Sequence, residues 1–188
     1  RLDAGFFITH DIYEEWGVLR LIEKEWKSKN SVLDFFNNIG MSYLMRRSFR
    51  QWLTEKIEHN IDTVIELIHQ ALNKEIDAIW RDEIIVSVLL SSYCTSFLQS
   101  IEDILIKDGN PLLKRIMYLL QVACKQYCKT VIVNEYNYPI YKPYGKGWDS
   151  LIEWIYLHKD KNLKIPYQIK VVSDWCTFNH EGKTTRYA

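Results

Sequence analysis

Residues 41 to 59 read MSYLMRRSFRQWLTEKIEH, and this stretch decides the fold class. Its apolar residues recur every three or four positions and are Met41, Leu44, Met45, Phe49, Trp52, Leu53 and Ile57. That spacing places them broadly on one side of an α-helix. Residues 12 to 26 and 64 to 72 repeat the pattern, so the stretch is one of a series of amphipathic helices.

The composition favours the same class. Only 7 glycines and 4 prolines occur in 188 residues, which suits long helices better than a many-turned β fold. From residue 61 onward, predicted helices alternate with short connections, as in the stacked antiparallel helix pairs of an α-solenoid. The sequence therefore predicts an all-α fold with an α-solenoid-like region. An irregular helical bundle is the alternative.

Local signals predict where several helices begin and end. Asp11 fits an N-cap that follows a short apolar run, residues 6 to 8, expected as a strand or an extended lead-in. Ser31 is expected to cap a short helix that Gly40 ends. Pro111 suits the first turn of a later helix because the missing N–H has no partner there in any case.

The segment from Thr130 to Tyr144 breaks the helical pattern and is predicted to be a long irregular loop. A β-branched run, residues 131 to 133, precedes four tyrosines interleaved with two prolines. Tyrosine offers a large contact area at low entropic cost, so Tyr136, Tyr138, Tyr141 and Tyr144 are a candidate protein-interaction loop. The alternative is a loop that its own rings pack onto the helices.

A basic cluster lies on the predicted helix of residues 41 to 59. Arg46 and Arg50 share one helix face, and Arg47 lies one step around it. Such a cluster can contact phosphates, either in nucleic acid or in a nucleotide held by another domain. The alternative is a solvated face balanced by Glu55 and Glu58.

The sequence contains none of the common catalytic motifs. A complete phosphate-binding loop, a G-x-S-x-G elbow, an H-E-x-x-H helix and a C-x-x-C pair are all missing. Cys124 and Cys128 are one helical turn apart, but a zinc site needs two more ligands, so buried core cysteines and no metal site are expected. The chain is predicted not to be an enzyme, and no cofactor is expected in it.

The chain is expected in the cytoplasm, with other proteins or domains as its partners. Lys and Arg together number 24 and so do Asp and Glu, which removes the usual charge argument for nucleic acid or anionic membranes. No apolar run is long enough to span a bilayer. Four cysteines in apolar, helix-like runs are typical of reduced thiols inside a cell. Both ends look like cut points, so a fragment of a larger protein is expected.

Three segments resemble parts of a known family. The stretch Phe7-Ile8-Thr9-His10-Asp11 through Trp16 is similar to the F-x-x-H-D-x-x-x-x-W pattern that follows the nucleotide-binding core of bacterial STAND-type P-loop NTPases. The stretch from Arg46 to Leu53 is similar to an arginine- and aromatic-rich helix of those proteins. The Asp174-Trp175 pair has a looser likeness to their helical region.

The resemblance implies a winged-helix-like part or helical arm over residues 1–60, followed by a helical repeat-like region over residues 61–188. His10 would face a bound nucleotide in that architecture, whereas from the residues alone His10 and Asp11 suit a capping pair. The family implies a non-catalytic regulatory and scaffolding segment of an ATP- and Mg-dependent parent, in signal transduction and antiphage (antiviral) defence. Its partners would be the adjacent NTPase domain and a protein ligand, with self-association possible. A nucleic-acid-binding module that uses Arg46, Arg47 and Arg50 is the alternative function.

Overall fold

A computed structural model describes residues 4–107, 109–133, 135–161 and 168–178, with side chains from Tyr13 onward. The described residues are predominantly helical, which confirms the all-α class, and add one small two-stranded sheet. They divide between Ser87 and Val88, inside a helix, into an N-terminal and a C-terminal compact unit, whereas the sequence suggested a division after residue 60.

The N-terminal unit contains five α-helices. They are α1 (Ala4–Ser28), α2 (Val32–Ile39), α3 (Tyr43–Asn60), α4 (Ile65–His69) and α5 (Ala78–Leu90), whose last residues belong to the C-terminal unit. Short 3-10 turns follow α3 and α4. The described residues from 4 to 60 form helices and the short connections between them.

Aromatic rings form the centre of the N-terminal unit. Neighbouring rings have centroids 5.0 to 6.2 Å apart, mostly edge-on or tilted, and they belong to Trp26, Phe35, Phe36, Phe49, Trp52 and Trp80. All six side chains are buried. Edge-on and offset geometries are those that aromatic pairs prefer. The large residues that recur along α1, α2 and α3 therefore form one shared core.

In the N-terminal unit, two of the predicted helix boundaries are confirmed, and one is wrong. The Oγ of Ser31 accepts a hydrogen bond from the Asp34 N–H at 3.1 Å, and Gly40 ends α2 with a φ of 69°. Asp11 is not an N-cap, because α1 begins at Ala4 and runs through residues 6 to 8, which are therefore neither strand nor lead-in. The helical period of that apolar run continues into the rest of α1, which outweighs the local capping signal.

In its described residues, the C-terminal unit combines helices with one hairpin. Its elements are the end of α5, α6 (Cys94–Ser100), α7 (Glu102–Ile106), α8 (Pro111–Ala123), β1 (Lys125–Val133), β2 (Tyr136–Pro143), α9 (Gly147–Leu157), a 3-10 turn and α10 (Gln168–Phe178). Pro111 begins α8 as predicted. Two buried indoles join elements, since Trp148 Nε1 donates to the Cys124 carbonyl at 2.7 Å and Trp175 Nε1 donates to Asp149 Oδ1 at 2.9 Å.

The predicted irregular loop is in fact an antiparallel β-hairpin. β1 and β2 pair from Lys125 opposite Pro143 to Val133 opposite Tyr136, with a bulge at Cys128. β-branched residues and tyrosines at alternating positions favour strands, and this preference outweighs the two prolines of β2. Among the described residues, no helix has both the length and the apolar character needed to cross a membrane.

Candidate protein-interaction surface

The hairpin and the residue that follows it, residues 125 to 144, form what we call the tyrosine hairpin. Its base is held to the rest of the C-terminal unit by two contacts. The Tyr144 N–H donates to the Cys124 carbonyl at 2.9 Å, and Lys125 Nζ lies 2.7 Å from Asp174 Oδ2 on α10. Behind the base, Gly147 fits so closely that an added Cβ would lie 2.7 Å from the Leu89 carbonyl oxygen. The hairpin therefore projects from a fixed base.

Beyond that base, the tyrosine hairpin is exposed on both faces. Seven large side chains are each at least half exposed: Tyr127, Ile132, Val133, Tyr136, Tyr138, Tyr141 and Tyr144. Alternate residues of paired strands share a face. One face, which we call the valine face, carries Lys129, Val131, Val133, Tyr136, Tyr138, Ile140 and Lys142. The opposite face, which we call the isoleucine face, carries Tyr127, Thr130, Ile132, Asn137, Pro139 and Tyr141.

Side-chain contacts order the isoleucine face. The rings of Tyr127 and Tyr141 meet edge-on with centroids 6.3 Å apart, and the Tyr127 hydroxyl lies 2.9 Å from Thr130 Oγ1. Cross-strand aromatic pairs of this kind stabilise a sheet by about 0.2–1 kcal/mol. A partner would thus meet tyrosines that are already positioned, which lowers the entropic cost of binding.

The tyrosine hairpin and the two residues after it, residues 125 to 146, carry more basic than acidic side chains. Lys129, Lys142 and Lys146 form no ion pair with any described residue, whereas Glu135 at the turn is the one acidic residue described in residues 125 to 146. Among these lysines, Lys129 and Lys146 are exposed, and Lys142 is half-buried near the base. The surface therefore combines tyrosine rings with a local positive charge, although the whole chain is formally neutral.

The predicted interaction residues are brought together, and additional residues join them. Tyr136, Tyr138, Tyr141 and Tyr144 all lie on the tyrosine hairpin, and each of these side chains is at least half exposed. Tyr127 and Ile132 were not among the predicted site residues. The alternation of residues 131, 133, 136 and 138 was the sequence signal for two strands. Strand pairing then places Tyr127 opposite Tyr141 and Ile132 opposite Asn137.

The predicted arginine cluster is largely engaged in ion pairs within the N-terminal unit. Arg50 Nη2 lies 2.7 Å from Glu83 Oε2 of α5, and Arg47 Nη2 lies 2.9 Å from Glu15 Oε1 of α1. Arg46 has a buried Nε without a hydrogen-bond acceptor among the described residues. The three side chains do not form one free cationic patch, because Glu15 of α1 pairs with Arg47 and Glu83 of α5 pairs with Arg50.

His10 and Asp11 lie in the first half of α1, and their side chains are outside the described residues. Of the cysteines, Cys124 is buried as predicted, and Cys94 is buried as well. Cys128 is exposed at the bulge, which contradicts the expectation that it belongs to the core and to a helix. Within the described ranges, no group of three or more His, Cys, Asp and Glu side chains is arranged to hold a metal ion.

A small groove separates α6 and α7 from α9 in the C-terminal unit. Its volume is about 130 Å³, and its lining includes Glu102, Trp154 and His158. Nδ1 of His158 lies 2.7 Å from the Trp154 carbonyl, and Nε2 lies 2.9 Å from Glu102 Oε1. Both ring nitrogens of His158 face oxygen atoms, so the side chain links the end of α9 to α7. The role of His158 in the groove is therefore to stabilise the fold.

The geometry thus favours the tyrosine hairpin over the arginine cluster and the groove as a binding surface. Comparison with known proteins adds no family: no protein-family model and no curated protein matches this chain.

Proposed function

We propose that this chain is a protein-interaction module whose binding surface is the tyrosine hairpin. The observation that carries the proposal is the exposure of seven large apolar or aromatic side chains on one projecting hairpin with a fixed base. Clusters of large apolar side chains that stay exposed to water often mark a binding site, because their exposure costs free energy. Tyrosine is also enriched at protein interfaces.

The same proposal accommodates the wider role that the family resemblance implies. A module that binds through a hairpin suits a regulatory and scaffolding segment of a larger STAND-type NTPase in the cytoplasm. The resemblance of residues 7–16 and 46–53 is the support for that parent. We expect the chain alone neither to bind nor to hydrolyse ATP. Turnover of ATP by the purified chain would contradict this.

The alternative of nucleic-acid binding through the arginine cluster has less support. Arg47 and Arg50 already have carboxylate partners at 2.9 and 2.7 Å, so a phosphate would have to displace Glu15 and Glu83. Breaking the partly buried Arg50–Glu83 pair would leave Glu83, which is buried, without its cation. A mobility shift with oligonucleotides at low salt that is lost in Arg46→Ala would revive this alternative.

The test of the interaction proposal is a selection of peptide binders with matched variants. A random peptide library is selected against the wild-type chain, and each binder is then titrated against Tyr136→Ser/Tyr138→Ser. The control is Tyr13→Ser/Tyr43→Ser, which removes two tyrosines exposed on helices at 67% and 73%. We expect the hairpin variant to weaken binding by roughly tenfold or more and the control to leave it unchanged. Binders whose affinity for the hairpin variant equals their affinity for the wild type would refute the proposal.

A further inference from the structure

The two edges of the hairpin sheet differ in what they offer to another strand. The described sheet has only β1 and β2, so each strand pairs on one side. Val133 and Tyr136 are opposite each other across a two-residue connection, the place where the two residues normally exchange both backbone hydrogen bonds. Hydrogen-bonded and non-hydrogen-bonded pairs alternate along an antiparallel ladder. Ile132 opposite Asn137 and Thr130 opposite Pro139 are therefore non-hydrogen-bonded pairs, whose backbone groups point away from the partner strand.

Pro139 supports this assignment. Proline has no N–H, so it fits a pair in which the nitrogen points away from the partner strand. The residues of β2 whose backbone groups face outward are then Asn137, Pro139 and Tyr141. Pro139, in the middle, has no N–H to donate to another strand. Helix α10 also packs against β2. The outer edge of β2 is therefore a poor template for another strand.

The outer edge of β1 has no such interruption after the bulge at Cys128. The N–H and C=O groups of Thr130 and Ile132 point away from β2, and both residues are exposed. Val131, Ile132 and Val133 are β-branched and favour an extended backbone. Unpaired groups on such an edge can pair with an extended segment of another chain, which is a recurrent mode of peptide recognition.

We propose, on the basis of the interaction function above, that the outer edge of β1 binds an extended acidic segment of a partner protein as a third strand. Charge complementarity selects the occupant, because Lys129 and Lys142 lie on the valine face and Lys146 follows the base, without ion pairs to described residues. An acidic side chain opposite Lys129 would gain a favourable cross-strand pair. A second copy of the chain would instead bring its own Lys129 to the same edge.

The probe is a short, capped, fluorescent peptide in which valine and glutamate alternate. We expect Ile132→Pro, which removes one outward-facing N–H of β1, to weaken its binding roughly tenfold or more. The matched control is Asn137→Pro, which removes the corresponding N–H from β2 directly across the sheet and is expected to change binding less than about twofold. Lys129→Glu, which cannot disturb backbone pairing, should also weaken binding. Circular dichroism checks that each variant is folded.

A second form of the probe tests strand addition without changing the protein. The same peptide with its central amides N-methylated keeps every side chain and charge but cannot pair along an edge, and we expect its binding to be lost. Undiminished binding of this peptide would overturn the third-strand proposal. If binders still depended on Tyr136 and Tyr138, the interaction function would stand, so the two failures are distinguishable.

Other occupants give different results and would also overturn the proposal. Equal binding of single-stranded DNA, lost in Lys129→Glu, would identify a nucleic-acid surface. A dimer in analytical ultracentrifugation that Ile132→Pro dissociates and that excludes the peptide would identify a second copy of the chain. Loss of binding in Asn137→Pro but not in Ile132→Pro would place the partner on β2.

Discussion

The side chain of Glu23 joins α1 to α3 in the N-terminal unit, and its removal should have a measurable cost. Trp52 Nε1 donates to Glu23 Oε2 at 2.7 Å, and Lys56 Nζ lies 2.9 Å from the same oxygen. Lys27 Nζ lies 3.0 Å from Oε1. Burial by itself raises the pKa of Glu23, but the hydrogen bonds from Trp52, Lys56 and Lys27 outweigh it and lower the pKa from 4.5 to about 2.

This lowered pKa sets an upper limit on how much Glu23 contributes to the free energy of unfolding. Each pKa unit corresponds to about 1.4 kcal/mol, so the difference between 4.5 and about 2 gives a ceiling of about 3 kcal/mol. The Glu23 side chain is 28% exposed, and solvent screens its ion pairs with two lysines. We therefore expect Glu23→Gln to lower the free energy of unfolding by about 1–2 kcal/mol at neutral pH.

The pH dependence follows from the sign of the shift. Because the folded-state pKa is lower than that of the unfolded chain, the stabilisation by Glu23 is fully present above about pH 4.5 and is lost as pH falls toward about 2. The stability difference between wild type and Glu23→Gln should shrink over that interval.

The assay is urea unfolding followed by tryptophan fluorescence at several pH values. Glu55→Gln is the control, since Glu55 lies exposed on α3, and it should change stability by less than about 0.5 kcal/mol. Equal effects of the two variants at neutral pH, or a Glu23→Gln effect that is unchanged at pH 2, would refute the reasoning.

Three further predictions concern the turn, the thiols and the glycines. Glu135 has a φ of 69°, so Glu135→Gly should stabilise the hairpin by about 0.5–1 kcal/mol, measured by amide exchange of β1; a destabilised hairpin would contradict this. Burial raises the pKa of the Cys94 thiol to about 12, so maleimide should label exposed Cys128 in the native chain and Cys94 only after unfolding, as mass spectrometry can check. Gly147→Ala should cost about 1–3 kcal/mol in thermal unfolding because its Cβ would lie 2.7 Å from a carbonyl of α5, whereas Gly17→Ala, in open space on α1, should not destabilise.

The sequence predicted the helices well because their signals are local. Apolar spacing along α3, the N-cap at Ser31 and the proline that begins α8 each act within a few residues. The start of α1 was predicted wrongly since two local signals competed there, and the apolar run of residues 6 to 8 continued the helical period past the capping signal at Asp11.

Features that depend on residues distant in sequence were not predictable in the same way. Spacing along α3 suggested Glu55 and Glu58 as partners for its arginines, whereas the actual partner of Arg50 is Glu83, which only the packing of α5 brings near. The tyrosines of the interaction surface were found from composition. Their arrangement on a hairpin was missed because Pro139 argues against a strand unless its nitrogen faces outward.

The bulge at Cys128 has a consequence for solubility. An open strand edge with a β-branched run is a template for uncontrolled stacking of many copies into fibrils. A bulge twists the strand and interrupts its ladder, so it shortens the flat stretch available to such stacking. Lys129, directly after it, adds charge repulsion between copies. The irregularity at the exposed Cys128 thiol is thus also expected to limit aggregation of the chain.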